Sequence, residues 1–263
     1  MLFVLIYYPY KIYIIMDTLD SEVLLKDEVD VDKKPETEKD DKVSGVRDKV
    51  VRFSFYITYA FLMTTATVTF IEAMRTPDIK IRSILNLETC ISVVAAFFYG
   101  VFMKKIKETE INYRDITVNR YVDWSITTPI MLLVLVLAFC YNTGQKLTLS
   151  SFLLILLLNY GMIVCGFLGE TGITDKLKSN IAGFLFFAAL YGYIFMVYIR
   201  DFNIFDNNIL YLSFLVLWTL YGVAYWMEEE RKNVSYNVLD LFSKCFVGIF
   251  FWAYFTKSIV LKA

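Results

Sequence analysis

The chain has 263 residues, of which 57% are hydrophobic and 17% aromatic, and its formal net charge is -1. Its mean hydropathy of +0.53 lies far above that of an average soluble domain. The charge balance offers no basic surface for a nucleic-acid partner. The complete absence of histidine excludes histidine-ligated zinc sites, histidine general bases and Ser-His-Asp triads. The four cysteines lie scattered in apolar runs without CxxC spacing, which indicates small core residues and no disulfide or metal framework.

The first 49 residues differ from the rest of the chain. Residues 1–15 form an apolar run that contains Pro9 and Lys11 and is short for a membrane-spanning helix. The run has no basic leader and no clear small-residue cleavage site, so it favours a surface-lying segment or an upstream extension of the reading frame over a signal peptide. Residues 17–49 are dense in charge and contain no aromatic residue, which is typical of a disordered acidic linker.

Seven apolar segments follow, each of about the 20 residues that cross a bilayer core as a helix. They cover residues 52–74, 84–103, 120–141, 149–169, 180–199, 208–227 and 234–256. Most connections are short and rich in turn-forming residues, so successive helices should run antiparallel. The connection 104–119 is longer and has room for a short hairpin or irregular structure. The sequence therefore predicts an all-α membrane protein with a seven-helix domain over residues 50–257 and a short tail over 258–263.

The third segment opens with two charged residues. In "RYVDWSITTP", residues 120–129, Arg120 and Asp123 stand three positions apart at the start of an apolar helix. Ionisable side chains are costly inside a membrane, and those found there usually serve the function and have a partner. The alternative is a helix that starts just outside the membrane, with Asp123 in its first turn.

The last segment carries a lysine in its middle. Lys244 in "YNVLDLFSKCFVGIFFWAYF" is far from both ends of the segment. A charged lysine near the bilayer centre costs at least about 2.5–3.5 kcal/mol. A desolvated lysine amine is typical of a Schiff base with a carbonyl ligand. Asp240 lies one helical turn earlier on the same face and can act as its counterion. The alternative is a Lys–Asp pair that only holds helices together.

Taken together, "RYVDWSITTP" and "DLFSK" resemble the microbial (type 1) rhodopsins. The third-helix pattern R-Y-x-D-W-x-x-T-x-P of that family is matched by Arg120, Tyr121, Asp123, Trp124, Thr127 and Pro129, and the seventh-helix pattern D-x-x-x-K by Asp240 and Lys244. The resemblance covers residues 50–256 and implies a seven-helix bundle that encloses a retinal pocket, without enzymatic activity or a metal site. It implies all-trans retinal bound covalently to Lys244 as a protonated Schiff base. Asp123 would then be the counterion and proton acceptor, with Asp240 as the second carboxylate and Arg120 as the balancing charge.

The same resemblance assigns residues to the retinal pocket. Spacings of three and four put the sixth-helix candidates on one face, and the small Gly166 would leave room for the ring of the polyene. The expected pocket residues are Trp124, Thr127, Thr128, Met162, Gly166, Phe186, Tyr193, Trp218, Tyr221, Tyr225 and Ser243. The chain departs from many relatives at Gly222, where they have proline, and at Tyr225, where they have tryptophan. Aromatic stripes at helical spacing also occur in ordinary cores, which is the alternative for each position.

The type of activity depends on polar residues away from Lys244. Relatives that pump protons commonly have an internal donor carboxylate on the third helix, at the position that Val134 occupies here. A stripe of hydroxyls ending in a carboxylate follows the first helix and suits a hydrated cation path, although hydroxyls also pack helices together. The stripe comprises Ser54, Thr58, Thr65, Thr69 and Glu72.

Four further residues are candidates for the path or its gate. Glu88 lies about one turn into the second helix, where the alternative is a helix-terminal carboxylate in the headgroup region. Asn237 faces the same side of the seventh helix as Lys244 and could continue the path. Asn159 can hydrogen-bond Thr128, a pair that gates the photocycle in channel-forming relatives.

The phrases "LNLETCISVVAAFFYG" and "YNVLDLFSKCF" resemble the viral rhodopsins of large algal and protist viruses. One group of these proteins is understood as light-gated cation channels and a related group as proton pumps. Val134, Glu88 and the hydroxyl stripe favour the channel group. We therefore expect a light-gated cation channel, with a light-driven outward proton pump and a photosensor that signals through a partner as the alternatives.

The implied partners are membrane lipid and, as transported species, monovalent cations or protons. The protein would be a multi-pass protein of the host-cell membrane if the chain is viral, and the sequence leaves a homo-oligomer open. The resemblance places the N-terminus outside. Lysine and arginine are at least as frequent in the loops that would then lie outside as in those inside, so the positive-inside rule does not support this orientation.

Overall fold

The computed structural model describes residues 36–107, 111–202 and 204–258, with side chains from residue 49 onward. Seven long helices occupy these ranges. Their bounds are α1 Glu36–Arg75, α2 Ile79–Lys105, α3 Tyr113–Thr143, α4 Leu149–Glu170, α5 Lys176–Ile199, α6 Phe205–Ala224 and α7 Glu229–Phe255. Each contains an apolar stretch long enough to cross a membrane, with the stretch in α1 running from Lys49 to Arg75. The prediction of an all-α, seven-helix membrane protein is confirmed.

Helix α1 begins inside the segment for which the sequence predicts disorder. Its first residue is Glu36, so the expectation of a disordered linker is wrong for residues 36–49. This stretch is rich in glutamate and lysine, which have good helix propensity and extend the spanning helix by further turns. The predicted apolar segment 1–15, the rest of the linker up to residue 35, and residues 259–263 of the predicted tail lie outside the described residues.

The helix ends follow turn chemistry that is visible in the sequence. Asp78 caps α2, because its Oδ1 accepts hydrogen bonds from two backbone N–H groups of the first turn at 2.8 and 3.3 Å. Gly144 ends α3 in the left-handed region, with φ at 73°. The connection expected over 104–119 is shorter than predicted. Helix α2 continues to Lys105, and α3 begins at Tyr113 because Asn112 caps its first turn at 3.0 Å.

Helix α3 lies at the centre of the bundle, where it contacts α2, α4, α6 and α7. The middle of α3 is fully buried and apolar, with Leu132, Val134, Leu135 and Phe139 in the main core. Residues that point from the first half of α3 toward α7 therefore lie deep inside the protein.

Helix α7 changes its geometry around its lysine. Residues Leu241–Phe246 form a π-helical turn that contains Lys244, and α-helical geometry resumes at Val247. Such turns often occur at functional sites. The backbone carbonyl of Cys245 in this turn accepts a hydrogen bond from Thr65 Oγ1 at 3.4 Å, which ties α1 to α7 beside the lysine.

Candidate functional site

Lys244 is buried in the middle of α7 between two carboxylates. The residue is 2% exposed, and its Nζ lies 2.7 Å from Asp123 Oδ2 on α3 and 3.4 Å from Asp240 Oδ1 on its own helix. Arg120 Nη1 lies 3.4 Å from Asp240 Oδ2. The centre thus combines two cationic and two anionic side chains, all of them buried, so each charge is compensated nearby. Asp123 lies well inside α3, so the alternative of a helix start outside the membrane is wrong.

The two carboxylates have different surroundings. Tyr99 OH donates to Asp240 Oδ2 at 2.9 Å, and Tyr221 OH donates to Asp240 Oδ1 at 2.7 Å. Asp123 Oδ2 accepts from Lys244, whereas Asp123 Oδ1 is buried and has no hydrogen-bond partner in the described part of the chain. Two phenol donors therefore fix the Asp240 carboxylate, while Asp123 keeps one oxygen available for a proton.

Arg120 is oriented by two amides of α7. Its Nε donates to Asn233 Oδ1 at 3.0 Å, and its Nη2 donates to Asn237 Oδ1. Asn233, Asn237, Asp240 and Lys244 follow one another at spacings of four, three and four, which puts them on one face of the helix. One face of α7 therefore carries the amine, one of its carboxylates and the two amides that hold the arginine.

A cavity extends from Lys244 between α3, α4, α5 and α6. It encloses about 830 Å³ that no protein atom fills, with its open mouth included, and its wall is mainly apolar. Nine of the residues expected at this site line it: Trp124, Thr128, Met162, Gly166, Trp218, Tyr221, Tyr225, Ser243 and Lys244. The wall also contains Tyr121, Met131, Ile163, Ser179, Asn180, Gly183, Phe184, Phe187, Gly222 and Tyr236.

The chemistry of this wall fits a long apolar molecule that ends in a carbonyl group. Lys244 supplies an amine at one end, with the Asp123 carboxylate 2.7 Å from its Nζ. Two tryptophans, Trp124 and Trp218, supply flat apolar surfaces. Gly166 keeps this part of the wall open, because a Cβ there would lie 3.0 Å from the hydroxyl oxygen of Tyr121 and reduce the space.

Phe186 and Tyr193 do not line the cavity, so their predicted place is wrong. Phe186 is 36% exposed and lies against Gly161 of α4. The hydroxyl of Tyr193 donates to Ser151 Oγ at 3.0 Å, away from the cavity wall. Helix α5 is apolar on most sides, so its hydrophobic pattern does not determine which face turns inward.

Thr127 is buried but also stands apart from the cavity wall. Its hydroxyl donates to the backbone carbonyl of Asp123 at 2.9 Å, within α3. The expectation that Thr127 contacts the ligand is therefore corrected. Thr127 precedes Thr128 on the helix by one position, and only Thr128 faces the cavity.

The family model of bacteriorhodopsin-like proteins matches residues 49–258, which include all seven spans. The chain belongs to the bacteriorhodopsin-like family. This rhodopsin is similar to viral rhodopsin OLPVRII, with 56% sequence identity, a TM-score of 0.75 and coverage of 80% of this chain and 99% of that chain. The blue light-absorbing proteorhodopsin from Med12 has 25% identity and a TM-score of 0.63, and the match covers 79% of this chain and 97% of that chain.

The chain is also similar in sequence to a curated proteorhodopsin. The blue-light absorbing proteorhodopsin of the gamma-proteobacterium Hot 75m4 is 24% identical over 227 residues, which cover 77% of this chain and 84% of the relative. Members of the family bind retinal, and the buried amine and apolar cavity of this rhodopsin fit that pigment. Lys244 would hold its carbonyl end, and the cavity wall would hold its polyene.

The hydroxyl stripe of α1 faces neighbouring helices. Its buried members are Ser54, Thr58, Thr65 and Thr69, none more than 8% exposed. Each of their hydroxyls donates to a backbone carbonyl of α1 or α7, as Thr58 does to Asn237 at 3.2 Å. Glu72 stands at the end of the stripe, with its side chain 19% exposed. These contacts correspond to the helix-packing alternative that the sequence left open.

Glu88 and Asp240 lie on opposite sides of Lys244 along the bundle. Asp240 precedes Lys244 by one turn, and Gly248 follows it by one turn, about 6 Å away along the helix axis. Glu88 Oε2 lies next to Gly248, since a Cβ built there would be 3.1 Å from that oxygen. Glu88 is 2% exposed, so its side chain lies inside the bundle. Among the residues that the structure describes, no cation forms an ion pair with it.

Asn159 and Thr128 are in direct contact. Asn159 Nδ2 donates to Thr128 Oγ1 at 2.9 Å and joins α4 to α3, while Asn159 Oδ1 is buried without a partner in the described ranges. Thr128 also lines the cavity, so this pair contacts the space that the pigment would occupy.

A second buried ion cluster, which was not predicted from the sequence, lies where α7 begins. Lys232 is fully buried, and its Nζ donates to Glu170 Oε1 at 2.5 Å and to Glu229 Oε1 at 2.7 Å. Thr117 Oγ1 lies 3.0 Å from both Glu229 Oε2 and the side-chain nitrogen of Asn233. Because Asn233 also binds Arg120, polar contacts continue from the central charges to the end of the bundle.

Part of this cluster could have been found in the sequence. Glu229 and Lys232 are three residues apart, a spacing that brings side chains together on a helix. Lys232 precedes the predicted start of the last span at 234, so the sequence places it in the connection before that span. Its contact with Glu170, at the end of α4, depends on tertiary packing and has no signal in the sequence.

Proposed function

We propose that this rhodopsin is a light-driven pump that moves protons outward across a membrane, with retinal bound to Lys244. The observation that carries the proposal is that buried acids from other helices stand on both sides of Lys244 along the bundle. Asp123 lies 2.7 Å from Lys244 Nζ on one side, and Glu88 lies beside Gly248, one turn away on the other. A proton that leaves toward Asp123 can thus be replaced from the Glu88 side, as directional transport requires.

Retinal, when bound, supplies light absorption and an isomerisation that changes the affinity of the Lys244 nitrogen for its proton. Asp123 is the base nearest to that nitrogen, and its Oδ1 is available to take up the proton. Asp240 stays in place as the balancing negative charge, because it is held by Tyr99 and Tyr221. The chain thus separates the proton acceptor from the fixed counterion.

Glu88 supports a role as the group that returns the proton. An ionised carboxylate without a cation is costly in an apolar interior, so we expect Glu88 to carry a proton before illumination. Thr65, like Glu88, lies beside Gly248, and its hydroxyl donates to the carbonyl of Cys245 next to Lys244. A donor on α2 would replace the third-helix carboxylate of other pumps. The absence of that carboxylate at position 134 therefore no longer favours a channel.

On the other side of Lys244, polar groups lead away from the centre. Arg120 binds Asn233, and Asn233 binds Thr117, whose hydroxyl lies 3.0 Å from Glu229. The Glu229 side chain is 38% exposed and so reaches the solvent. These contacts supply a hydrogen-bonded route from the acceptor region to the surface.

Voltage-clamp and pH recordings on the expressed protein test the proposal. We expect an outward photocurrent that keeps its sign at all voltages, together with acidification of the medium on illumination. Lys244→Ala is the control that should show neither. A photocurrent that reverses at the equilibrium potential of a cation would reject pumping, and the absence of any current would favour a photosensor.

The donor role is tested by Glu88→Gln, with Glu72→Gln as the matched control on α1. Loss of a positioned general acid typically slows proton transfer by about 10²–10⁴-fold, so Glu88→Gln should slow photocycle recovery by about 100-fold and keep its colour. Glu72 lies outside the contacts of Lys244, so its variant should recover at the wild-type rate. Equal recovery rates in the two variants would contradict the role of Glu88.

A light-gated cation channel is the second candidate. The column of hydroxyls between α1 and α7 favours it, because such groups can line a hydrated path. Since the hydroxyls of Thr58 and Thr65 are bonded to backbone carbonyls of α7, conduction would require α1 and α7 to separate. A reversing photocurrent that Thr58→Val reduces would support the channel and reject the pump.

A further inference from the structure

Four aromatic rings surround the guanidinium group of Arg120. Its Cζ lies 5.4 Å from the ring centroid of Phe55, 5.5 Å from that of Tyr99, 4.9 Å from that of Phe102 and 5.8 Å from that of Tyr236. All four distances lie within the range of about 6 Å at which a cation is attracted to a ring face. The arginine and the four rings are at most 1% exposed. We call these four residues the aromatic cage.

The rings of the cage come from three helices and support one another. Phe55 belongs to α1, Tyr99 and Phe102 to α2, and Tyr236 to α7. Ring centroids are 6.0 Å apart for Phe55 and Tyr99, 6.2 Å for Phe55 and Phe102, and 5.5 Å for Tyr99 and Phe102. Phe55 and Phe102 have no polar side-chain atom, so their rings are all they offer to the guanidinium group.

The cage adds to the polar contacts that already orient Arg120. Asn233, Asn237 and Asp240 bind its nitrogens, so the group is fixed both by hydrogen bonds and by ring faces. Its charge acts on both Asp123 and Asp240. The group is paired with Asp240 at 3.4 Å, but it still places a positive charge where a passing cation would have to go, and the interior screens charge poorly. A side chain that could swing aside would remove that repulsion.

We propose that Phe55 and Phe102 are positioning residues that hold Arg120 stationary, so that its charge bars cations from the exit path throughout the light cycle. The inference rests on the proposed pumping function, because a pump must prevent the passive return of cations through the path that it uses. The two phenylalanines thereby separate proton transfer at Asp123 from leakage past Arg120.

The test compares Phe102→Leu with Phe98→Leu. Leucine keeps apolar bulk at position 102 and removes the ring closest to the guanidinium group. Phe98 lies on the same helix, with its ring centroid 6.4 Å from that of Phe102, and is not part of the cage. Each variant is prepared with all-trans retinal, titrated with pH while its colour is recorded, and examined under voltage clamp. Phe102→Tyr, which retains the ring, is the conservative variant.

Two changes are expected in Phe102→Leu alone. The pH midpoint of its colour change should move upward by about one unit, because a loosened Arg120 stabilises the nearby carboxylates less. Its photocurrent should gain a passive component that reverses with voltage. Phe98→Leu and Phe102→Tyr should match the wild type in both measurements.

An unchanged midpoint and a current that does not reverse in Phe102→Leu would overturn the proposal. Equal changes in Phe98→Leu would also overturn it, since general packing and not the ring face would then be responsible. If Phe102→Leu forms no pigment, Phe55→Leu tests the same cage from α1. A wild-type current that already reverses would reject the pump itself, and the colour titration would still report whether the rings hold Arg120.

Discussion

Replacing Lys232 with methionine should lower the free energy of unfolding by about 3 kcal/mol. Lys232 Nζ lies 2.5 Å from Glu170 Oε1 and 2.7 Å from Glu229 Oε1, and methionine removes the charge while keeping an unbranched side chain that is one atom shorter. Breaking a buried pair by removing one partner typically costs about 3–5 kcal/mol. The Glu170 side chain is 3% exposed, so its carboxylate would be left buried without a partner and the full cost applies to it. The side chain of Glu229 is 38% exposed, so water screens it and its contribution is about 0–1 kcal/mol.

A double-mutant cycle measures this coupling directly. Glu170→Gln in the Lys232→Met background removes the unpaired carboxylate and keeps its shape, so the double variant should recover about 2 kcal/mol. The assay is loss of the visible absorption band in increasing concentrations of a denaturing detergent, for the wild type, both single variants and the double variant. The reasoning is refuted if the free energy of unfolding of Lys232→Met lies within about 0.5 kcal/mol of the wild-type value. It is equally refuted if the double variant is no more stable than Lys232→Met.

Three further predictions follow from the central site. Lys244→Ala should abolish the visible band of the protein prepared with retinal, and a shifted band that persists would contradict covalent attachment. Gly248→Ala should keep the band but slow photocycle recovery several-fold, because its Cβ would lie 2.6 Å from a threonine methyl and 3.1 Å from Glu88 Oε2; Gly100→Ala, with nothing within 4 Å, is the matched control in the same flash-photolysis assay. Val134→Asp in the Glu88→Gln background should restore fast recovery, and continued slow recovery would argue against a shared donor role.

On the sequence alone, Val134 favours a channel, because the chain has no donor acid on α3. The structure places a buried acid, Glu88, on α2 at the height of Gly248, on the side of Lys244 away from Asp240. What matters for proton return is the position of the acid along the bundle, and a neighbouring helix can supply it as well as α3 can.

The spans and the central charges could be predicted from the sequence. Bilayer thickness sets the length of an apolar helix, so seven spans are visible as seven apolar runs. The cost of charge in such a run marks Asp123, Asp240 and Lys244 as exceptional. The four-residue spacing of Asp240 and Lys244 alone puts them on one face, whatever the rest of the protein does.

The rotation of each helix about its axis could not be predicted in the same way. In a membrane protein the surface that faces lipid is as apolar as the surface that faces the core, so the pattern of apolar residues is ambiguous. Phe186 was therefore expected at the pigment but lies 36% exposed, while Phe184 and Phe187 line the cavity. Helices with several polar residues on one face, such as α7, do not have this ambiguity.

Contacts between distant segments were decided only by the tertiary structure. Glu170 and Lys232 stand near helix ends, where a charge can normally reach water, and only the packing of α4 beside α7 buries them together. The rings of Phe55 and Phe102 resemble ordinary core residues until Arg120 is placed between them. The sequence by itself determined where charge enters the membrane. The three-dimensional packing decided which groups surround each charge, because those partners come from helices far apart in the chain.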